Sequence, residues 1–183
     1  ASSSSGTAIE EVMKYISKWW AIPKLTFISE FHQDPGYIES ILTRANAYDL
    51  DSYDHILFSY HGLPERHIQK SCKIKDCKYE DCISSCNDDR MYCYRSACYE
   101  TTRKIVAQLG ISEEKYSVAF QSRLGKDPWI QPFADVELVN LAKAGAKKLL
   151  FFFLKIFLNI RHAELDSASH TLKSYRLDPE SSS

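Results

Sequence analysis

The sequence predicts an α/β domain: a doubly wound parallel sheet of about four strands, carrying a cysteine-rich loop insertion. Three observations predict it. Short apolar runs alternate with stretches of helical period along most of the 183 residues. The run "KKLLFFF" has few polar interruptions, as expected of a strand covered on both faces. All six cysteines fall between positions 72 and 98, in a hydrophilic interval that breaks the alternation.

The elements follow in order. "GTAIEEVMKYISKWW" spaces Ile9, Val12, Met13, Ile16 and Trp19 at helical intervals, with the serines before Gly6 as its caps. "KLTFISEF" reads as a first strand, and "DPGYIESILTRANAY" as a helix opened by Asp34 and Pro35. "HILFSYH" is the second strand. Beyond the cysteines, "ACYETTRKIVAQLG" is a helix closed by Gly110, and "KYSVAFQS" is the third strand. "DVELVNLAKAGAKK" is a helix, and "KKLLFFF" supplies the fourth strand.

Composition limits the functions available. With 44% hydrophobic residues the chain has enough apolar material for a core of ordinary size. A formal net charge of -1 provides no basic field for nucleic acid, which is not an expected partner. The opening "ASSSSGTAIEEV" has neither a basic leader nor an apolar signal segment, and it starts without methionine, so it reads as a fragment. The longest apolar run, Leu149 to Ile160, is 12 residues and contains Lys155, whereas a spanning helix needs roughly 20. The expected location is the cytoplasm. Neither GxGxxG nor GxxxxGK occurs, so nucleotide binding has no support.

In open α/β sheets, ligands bind beyond the carboxyl ends of the strands. The second strand ends on His61, and the third on Gln121, Ser122 and Arg123. With an ordinary pKa of about 6.5, imidazole accepts and passes on protons at neutral pH, so a histidine at this rim suits general base chemistry. The same position also suits a histidine that only satisfies its hydrogen bonds. Asp135 fits a helix N-terminus, where a carboxylate is favoured by capping and the dipole.

The cysteines Cys72, Cys77, Cys82, Cys86, Cys93 and Cys98 are separated by five, five, four, seven and five positions, which matches no zinc ribbon or finger built from paired C-x2-C elements. Disulfides are disfavoured in a reducing cytoplasm. Four thiolates from one loop suit a [2Fe-2S] cluster, with zinc or free thiols as the alternatives. "CYRSAC" leads directly into a helix and "CKIKDC" opens the segment, which selects Cys72, Cys77, Cys93 and Cys98, with Cys82 and Cys86 as alternatives.

"LFSYHGLPERH", then "CYETTRKIVAQLG", then "YSVAFQSRLGKDPWIQPFAD" closely resemble the C-terminal half of ferrochelatase, and the order of blocks is kept from about Ser2 to Leu150. The opening "SSSSGTAIEEV" is similar to the segment that follows a Tyr-Pro-Gln-Tyr motif in that family. The resemblance implies a chelatase-like fold and insertion of ferrous iron into protoporphyrin IX to form protoheme. It makes His61 the residue that accepts pyrrole protons or guides the iron. Gln121, Ser122, Arg123 and Trp129 become substrate-binding candidates, with Arg123 meeting a propionate or solvent, and Trp129 lining the pocket or packing in the core. Some bacterial members carry a cluster bound by an internal cysteine segment, which the 71–98 insert resembles in its place along the chain.

The resemblance also sets boundaries. Residues 1–22 correspond to a helix ending the family's N-terminal domain, 23–153 to the C-terminal chelatase-like domain, and 154–183 to a divergent tail expected to be disordered. The tail, "FFFLKIFLNIRHAELDSASHTLKSYRLDPESSS" with its preceding strand, lacks the family's Glu-Thr-Leu-Glu-like motif, and His162 and Glu164 read as solvated residues. With half of the porphyrin pocket outside this sequence, activity of the chain is expected to be impaired or absent unless an oligomer supplies the rest. A non-enzymatic iron-sulfur or metal-binding module, or a porphyrin-binding remnant, is the alternative. Peripheral membrane contact is a further implication, because the family passes heme to membrane-linked users.

Overall fold

The computed structural model describes residues 2–27, 31–72, 93–154 and 171–176. Within them, helix α1 (Ser2–Ile16) is followed by α2 (Pro35–Ala45), β1 (His55–His61), α3 (Glu65–Ser71), α4 (Tyr94–Leu109), β2 (Tyr116–Gln121), α5 (Ala134–Lys143), β3 (Lys148–Leu154) and β4 (Thr171–Arg176). The strands form one sheet in the order β2-β1-β3-β4. β1 runs parallel to both β2 and β3, while β4 is antiparallel to β3.

Alternation along the strands explains two cores. Ile56, Phe58 and Tyr60 of β1 face one side, where they meet Ile38 and Ile41 of α2, Ile105 of α4, and Phe120 and Phe152 of the neighbouring strands. Leu57 faces the other side with Ala119, Leu149 and Phe151, covered by Leu138 and Leu141 of α5. Helices therefore lie on both faces, as a doubly wound sheet requires, and Ile56 to Tyr60 are all buried while His61 emerges into solvent. The Phe58 and Phe152 rings are 4.7 Å apart at the centre. Burying each such side chain fully contributes about 1.5–3 kcal/mol.

Local signals set the helix ends. The Asp34 carboxylate accepts the Tyr37 amide at 2.9 Å and caps α2, with Pro35 in its first turn. Gly110, at φ 66°, closes α4. Helix α5 stops at Lys143, short of the expected end, because Gly145 at φ 94° turns the chain back, with Ala146 N–H donating to the Leu141 carbonyl. Helix α4 starts at Tyr94, three residues before the expected Ala97.

Three expectations need correction. The serines do not cap the first helix but lie within it from Ser2 onward, since serine in a helix costs only about 0.5 kcal/mol relative to alanine. "KLTFISEF" supplies no strand over residues 24–27; Phe27 is exposed there, and no strand lies beside it among the described residues. Residues 28–30 lie outside the described set. The fourth strand comes instead from the tail, where Thr171–Arg176 pairs with the otherwise open edge of β3 and places Tyr175 edge-on to Phe151 at 4.8 Å. The sheet is thus mixed, three strands parallel and one not. The remaining tail positions named above, including His162 and Glu164, fall outside the described residues.

Candidate active site

The carboxyl ends of β1 and β2 form the rim on which the sequence places its histidine. His61 and Gln121 are the last register partners of the β1–β2 ladder. Gly62 then donates its amide to the Gln121 carbonyl at 2.6 Å. A Cβ on Gly62 would lie 2.8 Å from that oxygen and 3.3 Å from Cε3 of Trp129, so only glycine fits after His61.

The loop after β2 folds back over the loop after β1. Ile130 N–H donates to the Leu63 carbonyl at 3.0 Å, and Glu65 N–H to the Pro128 carbonyl at 2.9 Å. An isolated bridge joins Pro64 to Trp129. An exposed ion pair, Arg66 with Asp127 at 3.1 Å, links α3 to the same loop. The half-buried Trp129 indole donates from Nε1 to the Leu124 carbonyl at 2.8 Å, which fixes its ring over Gly62. The structure therefore brings Trp129 to the backbone that carries His61.

Gln121 is half-buried at the strand end, and Ser122 is exposed with φ 70°, a left-handed conformation that side chains other than glycine seldom adopt. The chain leaves β2 through this turn. Arg123 is turned to its own domain: its guanidinium pairs with Asp135 at 2.5 Å and stacks over the Phe133 ring at 4.3 Å. Asp135 lies in the first turn of α5, and Phe133 occupies the N-cap position. Its carboxylate thus serves both the helix dipole and Arg123.

Partial burial lowers the pKa of His61 from its ordinary value. The shift favours the neutral ring, the form that accepts a proton. Its backbone carbonyl accepts a hydrogen bond from the Tyr94 hydroxyl at 2.7 Å. One residue on, the Arg95 guanidinium, 3% exposed, pairs with Glu65 at 3.2 Å. Tyr94, Arg95 and Glu65 escaped the sequence reading. A usable signal was present: Arg95 and Ser96 interrupt the buried face of a helix, where polar residues need partners.

Cys72 ends α3 and is half-buried, and Cys93 is the N-cap residue of α4 and is buried. They frame the undescribed segment 73–92, which holds Cys77, Cys82 and Cys86. Cys98 lies one turn inside α4, in the core with Tyr60 and Tyr94, and burial pushes its thiol well above the ordinary range. Among the described residues no three His, Cys, Asp or Glu side chains converge on a metal site. Nor is any helix among them long and apolar enough to cross a membrane.

Comparison with known proteins adds the decisive observation: the ferrochelatase family model matches residues 1–154. The chain belongs to the ferrochelatase family. It is 40% identical over 153 residues to a ferrochelatase of Coxiella burnetii, covering 82% of this chain and 42% of that protein. Ferrochelatases of Pseudomonas putida and Legionella pneumophila are 39% and 38% identical over 154 residues, covering 46% and 44% of their lengths. The chain thus spans less than half the length of these ferrochelatase relatives. The matched span includes the whole rim from His61 to Trp129 and stops at the end of β3, before the tail strand.

Proposed function

We propose that this chain carries the proton-accepting histidine of a ferrochelatase-type reaction, the insertion of ferrous iron into protoporphyrin IX to give protoheme. The observation that carries this reading is His61 at the exposed end of β1, followed by Gly62, against which the Trp129 ring packs. Metallation removes two pyrrole protons as iron arrives, and a neutral imidazole at the ring centre lowers that barrier. Gln121, Ser122 and Trp129 line the same rim and contact the porphyrin. Arg123 is a weaker partner for a propionate, because Asp135 already matches its charge.

The test is a hybrid in which residues 1–154 replace the matching part of the Coxiella burnetii relative. Anaerobic turnover, followed as loss of porphyrin fluorescence with iron(II), is expected in the hybrid and lost in its His61→Ala form. A hybrid that turns over equally well without His61 overturns the assignment.

We further propose a [2Fe-2S] cluster in the cysteine segment, which suits a reducing, cytoplasmic setting. Cys72 and Cys93 fit as ligands because they stand at the two mouths of the segment. Cys98 fits less well, since a cluster needs a thiolate and the core around it favours the thiol. We therefore give the remaining places to Cys77 and to Cys82 or Cys86. When bound, such a cluster supplies folding energy to a segment rich in charged residues, rather than electrons for a reaction that involves no redox change.

A further inference from the structure

The peptide that carries His61 is fixed from outside its own strand. Among the described residues the β1–β3 pairing runs to Tyr60 and Leu154. On the other edge of β1, the His61 backbone pairs with Gln121 of β2. The Tyr94 hydroxyl, 33 positions away in sequence, donates to the His61 carbonyl at 2.7 Å. The next residue, Arg95, is buried and holds Glu65 at 3.2 Å. Both ends of the loop from His61 to Glu65 are thus tied to the first turn of α4.

We propose that Tyr94 is a positioning residue for His61: its hydroxyl fixes the strand-end peptide, and through it the place of the imidazole over the bound macrocycle. This rests on the reading of His61 given above. A ring that serves only to fill the core needs no donor aimed at this carbonyl. Here the phenol is buried, and its hydroxyl, which also meets the Cys98 side chain, donates to the backbone carbonyl of His61. Displacements of about 1 Å at a reacting group are enough to slow a reaction by about a hundredfold, so fixing this peptide matters to the chemistry.

The test compares Tyr94→Phe with Tyr60→Phe. Tyr60 is equally buried, and its hydroxyl bonds Thr102 at 2.8 Å, so its loss removes similar stability without touching the His61 carbonyl. Two readouts are taken on the intact chain by NMR: the His61 ring signal with 13C-labelled histidine, and hydrogen exchange of the Gly62 amide. In Tyr94→Phe the ring signal is expected to broaden or split, and Gly62 exchange to quicken at least tenfold, while Tyr60→Phe leaves both as in the wild type.

In the hybrid enzyme Tyr94→Phe is expected to lower kcat about tenfold or more with KM for porphyrin nearly constant. 4-Aminophenylalanine at position 94 keeps a weaker donor and is expected to restore both NMR readouts in part. Should Tyr94→Phe not fold, that variant is judged alone: intermediate values uphold the role, and wild-type values reject it. A folded Tyr94→Phe protein with unchanged His61 and Gly62 signals overturns the proposal. The NMR readouts need no turnover, so an inactive hybrid counts against the proposed reaction and leaves the role of Tyr94 to be decided separately.

Discussion

The amide of Gly62 lies 2.6 Å from the carbonyl oxygen of Gln121, the closest backbone hydrogen bond recorded between the two loops of the rim. It extends the β1–β2 pairing one step past the register pair His61 and Gln121, at the point where the histidine leaves the sheet. The contact depends on glycine having no side chain, because the Trp129 ring closes the other side. The "HG" pair is thus one device, a histidine followed by the residue that lets it sit at the edge of a tight crossing of two loops.

Gly62→Ala tests that device. The added methyl meets backbone oxygen at 2.8 Å, which cannot rotate away, so the loops must part. Overpacking of this kind costs about 1–3 kcal/mol. Urea unfolding should show a loss in that range, and fluorescence of Trp129 should change as its ring is displaced. Unchanged stability and emission would mean that the rim tolerates a shift of the loops.

Thr102→Val addresses the core behind the site. The Tyr60 hydroxyl, fully buried, bonds the Thr102 side chain at 2.8 Å, and valine has nearly the same shape without the oxygen. An unsatisfied buried hydroxyl costs about 1–3 kcal/mol. Chemical denaturation should report that loss with an unchanged slope; a Thr102→Val protein as stable as the parent would show that water reaches Tyr60.

The central strands were legible because each is a short apolar run whose burial leaves one outcome, and β1, β2 and β3 fall where the pattern puts them. The described opening of "KLTFISEF", residues 24–27, forms no strand because alternation reports a surface fit to be half-buried, not a neighbouring strand to pair with. "TLKSYR" was unreadable for the converse reason: it becomes a strand through the open edge of β3 rather than through its own apolar content. At the site, His61 was visible as the polar end of an apolar run. Tyr94 was not, since one hydroxyl meeting a carbonyl 33 residues away leaves no period in the sequence, and the cysteines on either side drew the reading to themselves.

Asp54 gives the sheet an acid-sensitive start. Its carboxylate accepts the backbone amides of Lys147 and Lys148, each at 2.7 Å, and these bonds lower its pKa. A folded-state pKa below the unfolded value of about 3.9 means that the contribution is present above that pH and is lost as pH falls through the folded value. Asp54→Asn should therefore be less stable than the parent at pH 7, with the gap in denaturation midpoint closing below pH 4. A gap that is constant with pH would remove the carboxylate from this role.

Cys93 and Cys98 are both buried but differ in position, one at the mouth of the segment and one a turn inside α4, and substitution should separate them. Cys93→Ser removes a thiol at the mouth of the segment, so iron and acid-labile sulfide in anaerobically purified protein should fall to background. Cys98→Ala removes a thiol held in the core and should keep both, at a modest loss of stability from the missing sulfur. Loss of iron and sulfide in folded Cys98→Ala would make Cys98 a ligand and return the set to Cys72, Cys77, Cys93 and Cys98.

His61 sets the pH dependence of the proposed reaction. Partial burial lowers its pKa below the ordinary value of about 6.5, so the neutral, proton-accepting form persists further into acid than in a free imidazole. The acid limb of kcat/KM in the hybrid enzyme should therefore fall below pH 6.5, because that limb reports the base of the free enzyme. The same sign governs stability: the folded state disfavours the charged ring, so the contribution of His61 is complete above the unfolded value and declines as pH falls through it toward the folded one. NMR titration of His61 in the intact chain supplies the midpoint without turnover. A midpoint at or above 6.5 would mean that the ring stands in open water, and the rim would then have no physical means of keeping its base ready at lower pH.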